Sequence, residues 1–415
     1  MTSGQKFVPA LYNGAAALTS GSRNQSAGRV PKRREPVSLL GARPWAAWRC
    51  EKAAVSVKFK KCKECGFPVR FARWLRWDNN GTIVQRISPD FRVVIMETNF
   101  LEDLFGRIEK NLGISVRHIV FEAQKSGAKG FIANWLAGPL GKLLLIPKAK
   151  GFVINQFHML GILGGSAYSE TAEYKSGEYG VALIKNPYSK DLMAAMVEGA
   201  FEAMEAKPYT HSWTERGEDL VLRVEAVDRP PDISDRMYLV FPPAHPGNIQ
   251  FARCKRCGVP LDLRYLKWYE NKGIILDTRR DKRVNFLDGY VPATVFREFR
   301  KELGDTVVPI IIDAQRDYFL EYIHELELLK LARGDLKNMY HILLDTLPVY
   351  GQGNPVSIVR TDSRLEVTVD NPYDELLLAG TLAACYQAVE EAEPEVTFKQ
   401  LEEGILHFVI LPKKS

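Results

Sequence analysis

Four cysteines stand in two short segments whose spacing is typical of metal ligands: Cys62, Cys65, Cys254 and Cys257. The first segment reads CKECGFPVRFARWLRWDNNGTI from residue 62, and the second reads CKRCGVPLDLRYLKWYENKGII from residue 254. CxxC followed by Gly and Pro is the pattern of a zinc knuckle, in which two thiolates converge around a tight turn. Gly66 and Gly258 permit the backbone to approach the sulfur atoms.

Each knuckle supplies only half of a tetrahedral zinc site, which takes four ligands. The remaining cysteines do not complete it, because Cys50 has no counterpart in the second segment and Cys385 lies in an apolar helical pattern typical of a buried thiol. We therefore predict one zinc ion shared by the two cysteine pairs. A pseudo-twofold axis would relate the knuckles, as in a dimer fused into one chain.

Three other interpretations of the cysteines stay open. Each knuckle completes its own site with His, Asp or Glu, although no histidine is placed equivalently near both. Alternatively, the pairs are redox dithiols, although no βαβ pattern follows them, or they bind no metal. A site closed by four thiolates has no open position for water, so the sequence predicts a structural metal and no catalytic residue.

The similarity between the two segments continues as an internal repeat over most of the chain. The tripeptide NPY occurs at 186–188 and again at 371–373, and with one deletion Gln124 corresponds to Gln315. Each copy is roughly 150–160 residues long, the size of a domain. The repeat predicts a disordered leader over 1–54, a first knuckle and domain over 55–230, and a second over 231–415.

The leader holds the basic excess of the chain. Of 56 basic and 50 acidic residues, eight basic and one acidic lie before residue 51, which leaves 48 and 49 for the remainder. A folded part near neutrality does not favour nucleic-acid binding. The Arg-rich, acid-poor leader is consistent with a transit peptide or with a start codon placed too far upstream.

Composition also bears on the cellular setting. No apolar run approaches 18 residues, which predicts no membrane span. Six cysteines with two CxxC pairs favour a reducing compartment, and we expect a cytoplasmic protein.

The hydrophobic patterns predict an α+β fold. In the first copy, alternation predicts strands over 82–87 and 92–97, and helical spacing predicts helices over 101–112 and 118–138. A further helix is expected to start from the proline of NPY, and a last strand closes each copy. We predict two homologous domains, each with helices packed on one antiparallel sheet, together with the small knuckles.

This order of elements resembles the 4-vinyl-reductase-type domain. The shared features are a Gly-containing turn (LGGSAY from 163, VYGQGN from 349), a strand that ends in NPY, a helix of small residues and a last strand. That family is related to the haem–nitric-oxide-binding fold and to vesicle-tethering subunits, and the CKxCGxP opening is similar to bacterial proteins described as hydrocarbon-binding. The resemblance implies a pocket for an apolar small molecule. Many members bind zinc through cysteines near the last strand, a stretch that contains no cysteine here.

Aromatic residues and histidines of the helical segments are the candidate ligand contacts. They are Phe131, Trp135, Phe157 and His158 in the first copy, and Phe319, Tyr322, Tyr340 and His341 in the second. The first copy is the better candidate because the segment 143–165 is more apolar than 325–347. The alternative, that these residues fill an ordinary core, stays open. His211 and Trp213 occur only in the first copy, and RRDKR at 279–283 is typical of a solvated turn.

Three classes of function follow. The first is a non-catalytic, zinc-stabilised protein that binds or senses an apolar small molecule; with no output domain evident, signalling would require a separate partner. The second is an accessory factor or reductase acting on a tetrapyrrole or aromatic substrate, which only the family resemblance suggests. The third is nucleic-acid binding through a zinc ribbon, which predicts a basic folded surface.

Overall fold

A computed structural model describes residues 58–136, 141, 146–217, 219–228, 237, 241–331 and 336–414. The predicted leader over 1–54, and Cys50 within that region, lie outside these residues. Ser56–Ser415 form one compact unit.

Both copies of the repeat contain helices and antiparallel strands in a similar order, although the second begins without an α-helix and has three short helices where the first has one. The first copy comprises α1 (Val69–Trp74), β1 (Leu75–Trp77), β2 (Ile83–Gln85), β3 (Ser88–Glu97), α2 (Phe100–Leu112), α3 (Arg117–Leu136), α4 (Pro147–Gly164), β4 (Tyr168–Lys175), β5 (Tyr179–Lys185), α5 (Lys190–Glu205), β6 (Tyr209–Arg216) and β7 (Asp219–Ala226). The second comprises β8 (Leu266–Tyr269), β9 (Ile274–Asp277), β10 (Lys282–Asp288), α6 (Tyr290–Leu303), α7 (Val307–Glu325), α8 (Leu328–Leu331), α9 (Leu336–Leu344), α10 (Thr346–Val349), β11 (Asn354–Thr361), β12 (Arg364–Asp370), α11 (Glu375–Glu390), β13 (Pro394–Glu402) and β14 (Ile405–Pro412). The predicted α+β class is confirmed.

The copies meet in a shared six-stranded sheet with the order β1-β2-β3-β10-β9-β8. At its centre β3 and β10 pair antiparallel, with Ile95 opposite Phe286, Glu97 opposite Val284 and Val93 opposite Asp288. This register relates the copies by a pseudo-twofold axis through the central pair. Each copy also has a four-stranded sheet of its own, β4-β5-β7-β6 or β11-β12-β14-β13, so the expected single sheet per copy is replaced by one private and one shared sheet.

Local sequence signals explain where the helices begin and end. Helix α2 ends at Gly113, whose φ of 69° suits a left-handed C-cap. Helix α5 does not begin at the proline of NPY as predicted. It begins two residues after Tyr188, where the Ser189 side chain accepts from the Leu192 N–H. Among the described residues, no helix combines the length and apolar character needed to cross a membrane.

The strands that follow each knuckle (β1 and β2, or β8 and β9) are called the knuckle strands. They pack on the Gly turn of the other copy. Trp77 Nε1 donates to Val349 O (3.1 Å), and Trp268 Nε1 donates to Leu163 O (2.9 Å). Helix α3 likewise packs against α6, and α2 packs against α7. The boundaries 55–230 and 231–415 remain a prediction about the sequence repeat, and the packing of each half depends on the other.

Candidate metal centre and ligand cavity

The two knuckles have the same backbone geometry. Cys62 N donates to Phe67 O (2.8 Å), and Cys254 N donates to Val259 O (2.9 Å). In each knuckle, the glycine after the second cysteine donates back to the carbonyl of the first cysteine. Both glycines have a φ of 77°, a conformation that side chains with a Cβ rarely adopt.

The pseudo-twofold axis brings the four cysteines together. Their sulfur atoms all lie within 4.8 Å of one another. The Sγ atoms of Cys62 and Cys254 are 3.7 Å apart, and those of Cys65 and Cys257 are 3.4 Å apart. Tetrahedral zinc with Zn–S bonds of about 2.3 Å requires sulfur separations of about 3.8 Å. The cluster is therefore close enough to hold one metal ion, as two half-sites with no local completion predict.

The protein environment acts unequally on the four thiols. Burial opposes ionisation of Cys62, but hydrogen bonds from the backbone N–H groups of Cys65 and Glu64 and from the Cys254 and Cys65 thiols together outweigh it and lower the pKa of Cys62 to about 7. Burial raises the pKa of Cys257 to about 11, and it also raises the pKa of Cys65. Metal binding by these residues therefore releases protons, since thiolates are the ligands.

Basic residues just before each knuckle connect it to the strands of the other copy. Lys61 Nζ donates to Trp268 O (3.3 Å), and Arg253 Nη2 donates to Trp77 O (2.8 Å). Lys61 also pairs with Glu270 at 3.0 Å. These symmetric contacts hold the knuckles face to face.

An aromatic core joins the metal centre to the rest of the molecule. Phe67 lies against Trp268, with ring centroids 4.8 Å apart, and Phe71 lies against Phe286 at 4.9 Å. Phe71 and Phe286 also line a cavity beyond this core. The helix after the first knuckle and strand β10 therefore form part of its wall.

The cavity has a volume of about 190 Å³ and lies between helices α3, α4 and α5 of the first copy and the shared sheet. Its wall is mainly apolar and includes Phe131, Ile132, Ile154, Phe157, Met193 and Met204. The polar lining residues include Gln124, His158 and Asp288. An apolar cavity with a few convergent polar groups is typical of a small-molecule site.

The candidate ligand contacts fall in different places. Phe131, Phe157 and His158 line the cavity, whereas Trp135 packs on Phe157 with ring centroids 5.5 Å apart. In the second copy, Tyr340 is fully buried and donates to Glu390 Oε1 (2.8 Å). His341 is exposed on α9.

His158 is held by two hydroxyl groups. Its Nδ1 lies 2.7 Å from Ser169 Oγ, and its Nε2 lies 2.8 Å from Thr171 Oγ1. Burial lowers the pKa of His158 to about 4, so the imidazole is neutral at physiological pH. A neutral ring donates through one nitrogen and accepts through the other, and hydroxyl partners suit both roles.

We expect His158 to weaken the fold as the solution is acidified. Below pH 6.5 the unfolded chain binds a proton at this residue that the folded protein excludes until about pH 4. The stability that the neutral His158 ring contributes is therefore complete above pH 6.5 and is lost as the pH falls towards 4. Replacing His158 by Gln should remove this part of the pH dependence of the free energy of unfolding. Burial raises the pKa values of Asp288 and Asp374 to about 7, so these two residues stabilise the fold as the pH falls below 7. They do so equally in the wild type and in His158→Gln. Denaturant unfolding across this pH range measures the difference, and identical acid limbs would contradict a neutral buried His158.

Asp288 is the cavity residue that the sequence did not reveal. It stands at the end of β10 in the second copy, yet it lines the cavity of the first. Its Oδ1 accepts from Tyr290 N at 3.0 Å, and burial raises the pKa of Asp288 to about 7. The pairing of β10 with β3 in the shared sheet places this carboxyl group there.

The corresponding space in the second copy is filled. It measures about 30 Å³ and is lined by Tyr318, Phe319, Tyr322 and Tyr350. Aligning Gln124 with Gln315, and the two Gly turns with each other, gives the first-copy counterparts of these four residues in the same order. They are Gly127, Ala128, Phe131 and Gly164. The cavity exists because the first copy has smaller side chains at four equivalent positions, each lacking a ring or a hydroxyl.

Two other sequence features have structural roles outside the cavity. His211 Nδ1 lies 2.6 Å from Glu198 Oε1, and the His211 ring stacks on Phe121. The interpretation of 279–283 as a solvated turn is wrong for Arg280 and Arg283. The Arg280 side chain is 3% exposed, and Arg283 donates to three backbone carbonyls of the first copy. Both side chains face the interior because the β9–β10 turn lies at the junction of the copies.

Comparison with known proteins identifies no relative. No protein-family model matches the chain, and neither a curated protein nor a solved structure matches it. The resemblance to the 4-vinyl-reductase-type domain therefore remains an interpretation of the sequence, and the functional argument rests on the geometry of the two sites.

Proposed function

We propose that this protein binds a small apolar molecule in the cavity of its first copy, within a frame held by a zinc ion on the four cysteines. The observation that carries this proposal is the difference between the copies. Tyr318, Tyr322 and Tyr350 close one interior, and their counterparts leave the other open. A gap from imperfect packing would not require coordinated changes on two separate elements, α3 and the Gly turn.

Zinc is the metal that best suits the cysteine cluster. Thiolate ligands select soft or borderline metals over magnesium and calcium, and tetrahedral sulfur sets are typical of zinc and of iron–sulfur sites. When bound, zinc would contribute folding energy, with no open position for chemistry. Cys62, Cys65, Cys254 and Cys257 would hold it and fix the two knuckles together.

The volume of the cavity sets the size of the ligand. A dry protein cavity of about 150 Å³ binds benzene. At about 190 Å³, this cavity suits one aromatic ring with a short substituent. It is much too small for a tetrapyrrole, so its size favours a binding role for small apolar molecules over the alternative of tetrapyrrole chemistry.

Introducing side chains from the second copy into the first is expected to abolish ligand binding. Ala128→Phe supplies the ring of Phe319, and Gly164→Tyr supplies that of Tyr350. An added Cβ at Gly164 meets its nearest atom, Phe286 O, at 3.4 Å, which leaves room for the first step of the substitution. Ala133→Phe places the same ring on an exposed position of the same helix and is the matched control.

Calorimetric titration with ethylbenzene, indole and 2-phenylethanol measures this effect. We expect saturable binding of at least one compound by the wild type and by Ala133→Phe, and a loss of about 10-fold or more in both filled variants. Thermal melting checks that each filled variant folds. Equal binding by a folded filled variant, or no binding of any compound to the wild type, would contradict the proposal.

A further inference from the structure

We propose that the ligand is a cation: an amine whose ammonium group pairs with Asp288 while its apolar body fills the cavity. This inference rests on the proposed function and deepens it by naming the chemical class of the ligand. It is argued from the surroundings of Asp288, from the equivalent position in the second copy, and from the aromatic rings of the wall.

Asp288 is a carboxyl group without a cationic partner. Its hydrogen bond comes from the backbone N–H of Tyr290. In the part of the chain that the structure describes, no lysine, arginine or histidine lies within ion-pair distance of it. Asp288 is half-buried, and a carboxylate partly removed from water without a counter-ion is costly, so a bound cation would offset that cost.

In the second copy the equivalent carboxylate already has its cation. The pseudo-twofold axis through Ile95 and Phe286 exchanges Asp288 with Glu97. Glu97 Oε2 lies 3.1 Å from Arg280 Nη1 and accepts from Tyr318 OH at 2.7 Å. The Arg280 guanidinium also lies over the Tyr322 ring, 4.6 Å from its centroid.

The first copy lacks these internal partners. Arg92 and Arg283 are equivalent by the same axis. The β2–β3 turn is one residue longer than the β9–β10 turn, so Ser88 and Pro89 take the place of Arg280, and neither carries a charge. The counterpart of Tyr318 is Gly127. The chain thus supplies a guanidinium and a phenol to one carboxylate and leaves the other facing an empty space of ligand size.

The cavity wall suits a cation with an apolar body. Phe71, Trp74, Phe131 and Phe286 line it, and aromatic faces attract ammonium groups. His158, the one imidazole of the wall, is neutral because burial lowers its pKa to about 4, so it does not repel a cation.

Three compounds with similar bodies test the inference: 2-phenylethylamine, 2-phenylethanol and phenylacetate. Calorimetric titration at about pH 8 keeps the amine charged and the carboxyl group of Asp288 ionised. We expect the amine to bind about 10-fold or more tightly than the alcohol, and phenylacetate to bind most weakly. Asp288→Asn, which still accepts from Tyr290 N, should remove the preference for the amine and leave the affinity for the alcohol within about 3-fold.

Glu97→Gln, which changes the equivalent carboxylate facing the second-copy space, is the matched control and should leave the order of affinities unchanged. If the alcohol binds as tightly as the amine, or if Asp288→Asn keeps the preference, the inference is wrong while the proposed function stands. If none of the three compounds binds while ethylbenzene or indole does, the inference is wrong and the proposed function stands; if no compound of either set binds, both are wrong.

Discussion

Replacing Cys62 and Cys65 together by serine is expected to release the metal and to lower the free energy of unfolding by about 5 kcal/mol or more. The reason is that one ion joins both knuckles, whose sulfur atoms all lie within 4.8 Å. Loss of either pair leaves two buried or half-buried thiols that cannot close a tetrahedral site. Cys254→Ser with Cys257→Ser should therefore have the same effect, although it alters the other copy.

Denaturant unfolding combined with metal analysis of the purified protein measures this effect. Cys385→Ala is the matched control, because Cys385 is fully buried in the hydrophobic core around α11 and is not one of the four clustered cysteines. It should cost about 1 kcal/mol and leave the metal in place. Retention of about half the metal by either double variant would show two separate sites instead of a shared one.

Arg283→Met is expected to lower the free energy of unfolding by about 3 kcal/mol. Arg283 Nη2 donates to Gly165 O (2.9 Å), Ser166 O (3.3 Å) and Asn186 O (2.7 Å), which fixes the Gly turn and the NPY segment of the first copy to the shared sheet. Methionine keeps much of the apolar length but removes this donor from all three carbonyls, of which Ser166 O still accepts from Tyr188 N. Burial lowers the pKa of Arg283 to about 10, so the guanidinium stays charged at neutral pH.

The second copy offers an internal repetition of the same experiment. Arg92 is buried and donates to Asn371 O, Pro372 O and Pro242 O at 3.2–3.4 Å. Arg92→Met should cost a similar amount, whereas Arg364→Met on the exposed edge of β12 should stay within about 0.5 kcal/mol. Urea unfolding gives all three values. A loss below 1 kcal/mol at both buried arginines would show that the copies are not fixed together through these contacts.

The metal centre could be predicted from the sequence because ligand counting is independent of the fold. Each CxxC pair lacks further ligands near it in the sequence, so a shared site is the simplest way to reach four ligands. The repeat supplies the symmetry that brings the two pairs together. The helices of the first copy were also predictable, since α2 shows apolar positions at helical spacing and a glycine at its end. These signals are local, and local signals can be read along the chain.

The packing of each copy's knuckle strands on the Gly turn of the other copy could not be predicted in this way. Whether the knuckle strands pack on their own Gly turn or on the other one depends on contacts between distant residues, such as Trp77 with Val349. When the segments that start at residues 62 and 254 are aligned without a gap, Trp77 corresponds to Tyr269. In the structure Trp77 lies opposite Ile83, and Trp268 lies opposite Ile275, so the two tryptophans are equivalent. The segments before and after the tryptophan therefore each differ in length by one residue between the copies. For the same reason Asp288, remote in sequence from the first copy, could not be assigned to its cavity.

Methyl-resolved NMR of protein labelled at its methionines tests the central claim, that the first-copy cavity is the ligand site, most directly. Met193, Met196 and Met204 line this cavity, whereas Met96 lines the small space of the second copy and Met339 lies in α9. On titration with 2-phenylethanol and 2-phenylethylamine we predict saturable shifts of the first three methyl signals and no change at Met96 or Met339. Shifts confined to Met96 and Met339, or none at any methionine with either compound, would contradict the account.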